Sequence, residues 1–218
     1  MEDTTIEDVL KTVEKLYSQK DYTGALQLLE KSSKKMGEGL WHYNMGTLLG
    51  KLEKLPEARY HLLMSERRGF NSKELRLNQE IVESKLSVSK YENPLTITDY
   101  LARGGLIGAE GYFTTLALLF LVIAIWILRK KDRLKSSLVY LTVTVIFVGL
   151  NLWVNNWDKY IVLTPKVIHE GPSSIFGERG ELPLGVMLIT TEKEDWIKII
   201  YPSRFEGWIK KNGLKELK

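Results

Sequence analysis

The chain has 218 residues, 44% apolar and 27% charged, with a formal net charge of +4. This excludes a wholly disordered chain, a collagen-like fibre and a disulfide-stapled miniprotein, and the absence of cysteine excludes disulfides, thiolate zinc sites, iron–sulfur clusters and a cysteine nucleophile. The charge is localised: residues 1–100 and 158–218 are close to neutral and a net +4 lies within 129–135, so a diffuse basic surface for nucleic acid is not supported and no nucleic-acid partner is expected.

The N-terminal stretch MEDTTIEDVLKTVEK has no basic segment followed by an apolar core, so it is not a secretory signal. Residues 1–93 carry helical spacing, clearest in Val9, Leu10, Val13, Leu16 and Tyr17. Two segments repeat at a shift of 33: Asp21–Leu26 aligns with Lys54–Arg59. Pro56 suits a first helical turn, and Gly46 with Ala58 forms a small pair that would let antiparallel helices approach. Asn71 with Glu74 predicts a capping pair for a further helix with Leu75, Ile81, Val82 and Leu86 inward. The run Trp41-His42-Tyr43-Asn44-Met45-Gly46, Leu49-Gly50, Ala58 resembles a tetratricopeptide repeat. That resemblance implies a concave peptide groove faced by Glu14, Tyr17, Tyr43, Thr47 and Lys51; the alternative for each aromatic is core packing between helices. Lys31, Lys34 and Lys35, flanked by Glu30 and Glu38, read as a helix end or solvated face.

Asn93-Pro94 ends the helical pattern, and residues 94–111, with Gly104, Gly105, Gly108 and Gly111, read as a linker. Two uncharged apolar runs follow, 112–128 and 137–154, each near the lower limit for crossing a bilayer. Tyr112 and Phe113 at one end, and Trp153, Trp157 and Tyr160 at the other, would form an aromatic belt. Between the runs lies a basic loop, 129–136, in which Arg129, Lys130, Lys131, Arg133 and Lys135 form a topology signal. Short basic loops stay cytoplasmic, so both flanking regions are expected to be periplasmic; for the N-terminal region this requires a signal upstream of Met1, the alternative being that both regions are cytoplasmic and the loop rule fails. Asn151, Thr142 and Thr144 are candidates for hydrogen bonds between the runs.

From 158 to 218, short apolar alternations at 160–163, 166–169, 186–190, 196–201 and 207–210 are punctuated by Gly and Pro, which predicts a small β barrel. Gly171-Pro172-Ser173, Gly180-Glu181-Leu182-Pro183-Leu184-Gly185, Trp196-Ile197-Lys198-Ile199 and Gly207-Trp208-Ile209 together resemble a bacterial SH3 domain. Trp196, Tyr201 and Trp208 are then candidates for its ligand surface, with a structural role favoured for Trp208 because it follows Gly207 on a central strand.

No catalytic constellation is present. His42, His61 and His169 stand in unrelated contexts, Glu192, Glu194 and Asp195 belong to a turn, and no metal, cofactor or enzyme activity is expected. The expected fold class is a multidomain membrane protein: an all-α tetratricopeptide module with a capping helix (1–93), a two-helix transmembrane hairpin and a small all-β SH3-like barrel (158–218). That order of parts resembles the BatE-type proteins of the bacterial Bat aerotolerance operon. The resemblance implies a two-pass inner-membrane adaptor or scaffold for protein–protein interactions in a stress-related complex. The partners it implies are membrane proteins with von Willebrand A domains, besides the lipid bilayer. The alternative is an envelope sensor whose SH3 domain binds peptidoglycan or its peptides.

Overall fold

The computed structural model describes residues 5–33, 36–106, 110–129, 134–155, 157–193 and 195–217; among these, the side chains at 101, 103–106, 110–113, 134–135, 153–155 and 192–193 are not described. The described residues form nine α-helices followed by seven strands.

Helix α1 (Ile6–Ser18) starts at a capping box: the Asp8 N–H donates to Thr5 Oγ1 at 3.3 Å and the Thr5 N–H to Asp8 Oδ2 at 3.2 Å. Helix α2 (Tyr22–Lys31) is capped by Asp21, whose Oδ1 accepts from the Gly24 N–H at 2.9 Å. Helices α3 (Glu38–Lys51) and α4 (Leu55–Arg67) pack closely because Gly46 meets Leu62; a Cβ on Gly46 would lie 2.7 Å from Leu62 Cγ. Ala58 instead faces Gly50, so the small pair expected between Gly46 and Ala58 is shifted by one turn. Helix α5 (Lys73–Leu86) is capped by Ser72, whose Oγ accepts from the Leu75 N–H at 3.1 Å, rather than by the Asn71–Glu74 pair. Successive helices bury Val9, Val13, Ala25, Leu29 and Leu48 in one cluster and Leu49, Ala58, Leu62, Leu75 and Val82 in the next.

Helices α6 (Ser89–Glu92) and α7 (Ile97–Leu106) lead toward the sheet. The region read as a linker therefore holds a helix, with Gly104 and Gly105 inside it; Gly108 lies outside the described residues. Its start is organised by the buried Asp99, whose Oδ2 accepts from the N–H groups of Leu95 (2.9 Å) and Thr96 (3.1 Å). Helices α8 (Glu110–Leu128) and α9 (Leu134–Asn155) form an antiparallel hairpin. Ser137 Oγ donates to Ala124 O at 3.1 Å, Asn151 Nδ2 to Thr114 Oγ1 at 2.8 Å, and Phe120 stacks on Phe147 at 5.6 Å. Thr142 and Thr144 bond carbonyls of their own helix, Leu138 O and Tyr140 O, not the facing one.

The strands are β1 (Asp158–Val162), β2 (Lys166–His169), β3 (Glu178–Leu182), β4 (Met187–Lys193), β5 (Trp196–Tyr201), β6 (Gly207–Lys210) and β7 (Leu214–Glu216). They pair antiparallel in the order β3-β2-β6-β5-β4-β1-β7. Strand β3 escapes the sequence pattern because it is an edge strand: Glu178–Glu181 are all exposed, so no alternation marks it.

The helices complete the core of the sheet. Val88 is buried with Val162, Leu188, Ile197, Ile199 and Ile209, and Leu86 and Tyr91 pack on the same cluster. Tyr60 and Met64 of α4 share a second cluster with Ile161 and Leu217. The polar centre of this junction is Arg59, only 3% exposed. Its Nη1 donates to Glu92 Oε1 (2.5 Å) and to Gly185 O (2.6 Å); its Nε and Nη2 donate to Glu83 Oε1 (3.1 and 2.8 Å). Glu92 Oε1 also accepts from the Met187 N–H at 2.7 Å, and the Tyr201 hydroxyl donates to Glu92 O. Burial alone would lower the Arg59 pKa, but Glu92 and then Glu83 hold it above its ordinary value.

The expected fold class is corrected by these findings. Among the described residues no helix is long and apolar enough to cross a membrane. Trp157 and Tyr160, expected in an aromatic belt, are 7% and 2% exposed inside the sheet clusters. Tyr112, Phe113 and Trp153 have side chains outside the described residues. The transmembrane hairpin, the bacterial inner-membrane localisation and the periplasmic placement that depended on it are thereby overturned. In place of a repeat module, two spans and a separate barrel, the chain forms a mixed α/β structure with a paired-helix hairpin. Of the expected topology signal, Arg129 is exposed beyond the end of α8, Lys130, Lys131 and Arg133 lie outside the described residues, and the Lys135 side chain is not described.

Gly46→Ala forces its Cβ into Leu62 and is expected to cost about 1–3 kcal/mol in urea unfolding. Gly149→Ala, at a helical glycine with nothing within 4 Å of the added Cβ, is the control and should be neutral or slightly stabilising. Arg59→Ala leaves Glu83 and Glu92 facing each other at the junction and is expected to cost about 3–5 kcal/mol. A loss under about 1 kcal/mol would show that this network does not hold the helices to the sheet.

Candidate functional site

The five residues that sequence reasoning placed on a groove lie on α1 and α3. Glu14 is exposed and Tyr17 half-buried on α1; Tyr43 and Thr47 are half-buried and Lys51 is exposed on α3. Two of them meet across the helices: Lys51 Nζ sits 5.9 Å from the centre of the Tyr17 ring, within reach of a cation–π contact. Tyr17 also packs edge-on against Tyr22 of α2 at 5.4 Å.

Further along α3, Tyr43 stacks on Phe70 at 4.9 Å, and burial raises its phenol pKa. Thr47 Oγ1 donates to Tyr43 O at 2.9 Å and accepts from Asn78 Nδ2 of α5 at 3.0 Å. The surface is therefore wider than the sequence indicated and includes Phe70 and Asn78. Nothing in the sequence singled out Asn78, because its bond to Thr47 spans 31 residues of chain. Chemically the surface offers a cation, aromatic rings and hydroxyl and amide groups in a row. That suits docking of a polypeptide and holds no nucleophile–base pair.

On the sheet the three candidate aromatics separate. Tyr201 is 1% exposed and anchors Glu92, so it is structural and contributes nothing to a ligand surface. Trp196 and Trp208 are half-buried, and the register opposes Trp196 to Lys210 and Trp208 to Lys198, which places both rings on one face. The Trp196 ring meets His169 edge-on at 5.2 Å and Lys210 Nζ at 5.6 Å. Of the acidic turn before it, the side chain of Glu192 and the whole of Glu194 lie outside the described residues, and Asp195 is exposed. Lys34 and Lys35 also lie outside the described residues.

Two histidines that looked unrelated in the sequence are brought together. His42 Nδ1 of α3 and His61 Nδ1 of α4 lie 3.0 Å apart, which requires one ring to donate and the other to accept. Trp41 and Tyr60 flank them, with Tyr60 in turn under Lys215 of β7. Burial, then the charge of His42 and of Lys215, lowers the His61 pKa to about 3; burial, then Arg68, lowers that of His42, opposed by Glu38. No group of three or more metal-ligating side chains occurs among the described residues.

No family model, no curated protein and no solved structure matches the chain. The tetratricopeptide, SH3 and Bat-operon assignments drawn from short motifs accordingly find no support in the comparisons. Motifs of a few residues recur by chance in helices and strands that share capping, small-residue and turn requirements.

The histidine pair makes a signed prediction. A base whose pKa falls on folding stays neutral in the native state while the unfolded chain takes up a proton below pH 6.5. The pair's contribution to stability is thus whole above pH 6.5 and declines as the pH falls toward 3. In paired denaturation curves, the stability difference between the native sequence and His61→Gln should shrink on going from neutral pH to the middle of that window. A constant difference would remove the proposed titration.

Proposed function

We propose that the protein is a non-enzymatic adaptor that holds a partner polypeptide along the surface formed by α1, α3 and α5. The observation that carries this reading is the contact of Lys51 with Tyr17 beside the Tyr43–Phe70 stack and the Thr47–Asn78 bond. These interactions hold half-buried side chains in place, with Tyr17, Tyr43 and Phe70 each resting one side on the helical core clusters. Such a preordered row lowers the entropy lost when an extended or helical segment docks. A partner with a von Willebrand A domain is the kind that the BatE-type resemblance implies, and we propose it as the first to test.

The apolar flank of the α8–α9 hairpin supports the same reading. Leu118, Val122, Val145 and Leu152 are 58–70% exposed there. Exposed apolar side chains in such number mark an interaction site, which fits a member of an assembly.

A photo-crosslinking residue at position 51, introduced into the full chain in its source cell, should give adducts with a second polypeptide. The same residue at exposed Glu30 should not. Lys51→Glu should reduce co-purification of the adducted protein by about tenfold, a change of roughly 1.4 kcal/mol, with the unfolding midpoint unchanged. Equal crosslinking from both positions, or recovery indifferent to Lys51→Glu, would count against the groove.

A further inference from the structure

A second site lies where the β2–β3 hairpin faces the turn joining β5 to β6. A cleft of about 450 Å3 opens there, with Arg179 and Glu181 on one wall and Arg204 and Phe205 on the other. Its size falls in the range of sites that take small ligands or the end of a peptide. Arg179 Nη1 donates to Glu206 O at 2.9 Å, and Arg204 Nη1 donates to Lys90 O at 2.6 Å. Both acceptors are neutral backbone carbonyls, so each guanidinium is held in place without being neutralised. Each has five N–H donors, and neither forms an ion pair among the described residues.

The acidic groups of the lining are unequal. Glu206 is drawn to Lys198 Nζ at 3.4 Å on β5, whereas Glu181 has no ion-pair partner among the described residues. The cleft therefore presents two positive charges and one available carboxylate, beside the apolar Ile168 and Phe205. A net charge of one sign opposed by a single acceptor suits a monoanion with an N–H close to it better than a dianion, which Glu181 would repel.

We propose that this cleft binds a carboxylate borne next to an amide, as at the free C-terminus of a peptide. The carboxylate lies between Arg179 and Arg204, the adjacent amide N–H donates to Glu181, and the terminal side chain rests on Phe205. This site is separate from the α1–α3–α5 surface and does not depend on it.

The test is titration of the full-length 15N-labelled protein with N-acetyl-glycyl-leucine, with its C-terminal amide, and with inorganic phosphate. Saturable shifts of the Gly180, Glu181, Arg204 and Phe205 amides are expected with the free acid. The amide form should bind at least about tenfold more weakly, and Arg179→Gln and Arg204→Gln should each weaken the free acid by a similar factor. An N-acetylated hexapeptide with the same C-terminus separates the two sources of this group: tighter binding than the dipeptide marks a protein terminus, equal binding a small molecule. No saturable shift at millimolar dipeptide, equal binding of acid and amide, or phosphate outcompeting the acid would overturn the proposal. Because both arginines are exposed, the variants are expected to keep the native unfolding midpoint; if one does not, the comparison of acid with amide on the unmodified protein decides.

Discussion

The structure turns on a charge taken out of water. Arg59 sits on the inward stripe of α4, with Ala58 and Leu62, where an apolar residue would ordinarily pack. A buried guanidinium is tolerable only if its donors are met. Glu83 from the end of α5, Glu92 from α6 and the carbonyl of Gly185 from the sheet meet them. Such a network is poor evidence of net stability, since desolvation offsets most of the attraction. Its consequence is geometric: three segments far apart in the chain must come to one point for any of them to be satisfied.

Much of the remaining architecture follows from that point. With Glu92 fixed, the Met187 N–H and the Tyr201 hydroxyl find their acceptors on it, which aligns β4 and β5 with the helices. Arg67 Nη1 reaches Leu217 O at 3.0 Å and brings β7 against α4. Asp99, buried at the start of α7, accepts from the Ser203 N–H at 2.9 Å and from its hydroxyl at 2.6 Å. Burial would raise the Asp99 pKa, but these bonds, with those from Leu95 and Thr96, hold it below the ordinary carboxylate value. Glycine matters at Gly185 for the same reason: its φ is +75°, and an added Cβ would lie 2.6 Å from Leu86, the helical side chain that caps the sheet cluster.

The two proposed sites lie on different parts of this arrangement. The α1–α3–α5 surface is built by the helices alone, from side chains whose spacing along each helix already faces them one way. The arginine cleft depends on the turn after β5, where Ser203 is tied down by Asp99 of α7. It is therefore a product of docking between helices and sheet.

Local features with local causes were legible in the sequence. The helices of 6–86, the first-turn Pro56 and most strands announce themselves through 3.6- or two-residue periodicity and through residues with fixed conformational preferences. Helical spacing relates Tyr43, Thr47 and Lys51 along α3, but setting Tyr17 of α1 beside them rested on the tetratricopeptide resemblance, not on periodicity. What the sequence did not show were contacts whose partners are remote: Arg59 with Gly185, 126 residues apart, His42 with His61, and Asp99 with Ser203. It also misassigned Trp157, Tyr160 and Tyr201, because an aromatic beside an apolar run looks the same whether it ends at a lipid surface, a ligand or a core. Periodicity fixes which way a side chain points along its own element; only the tertiary structure decides what stands opposite it, since that depends on the burial and hydrogen-bonding needs of residues from several elements being met at once.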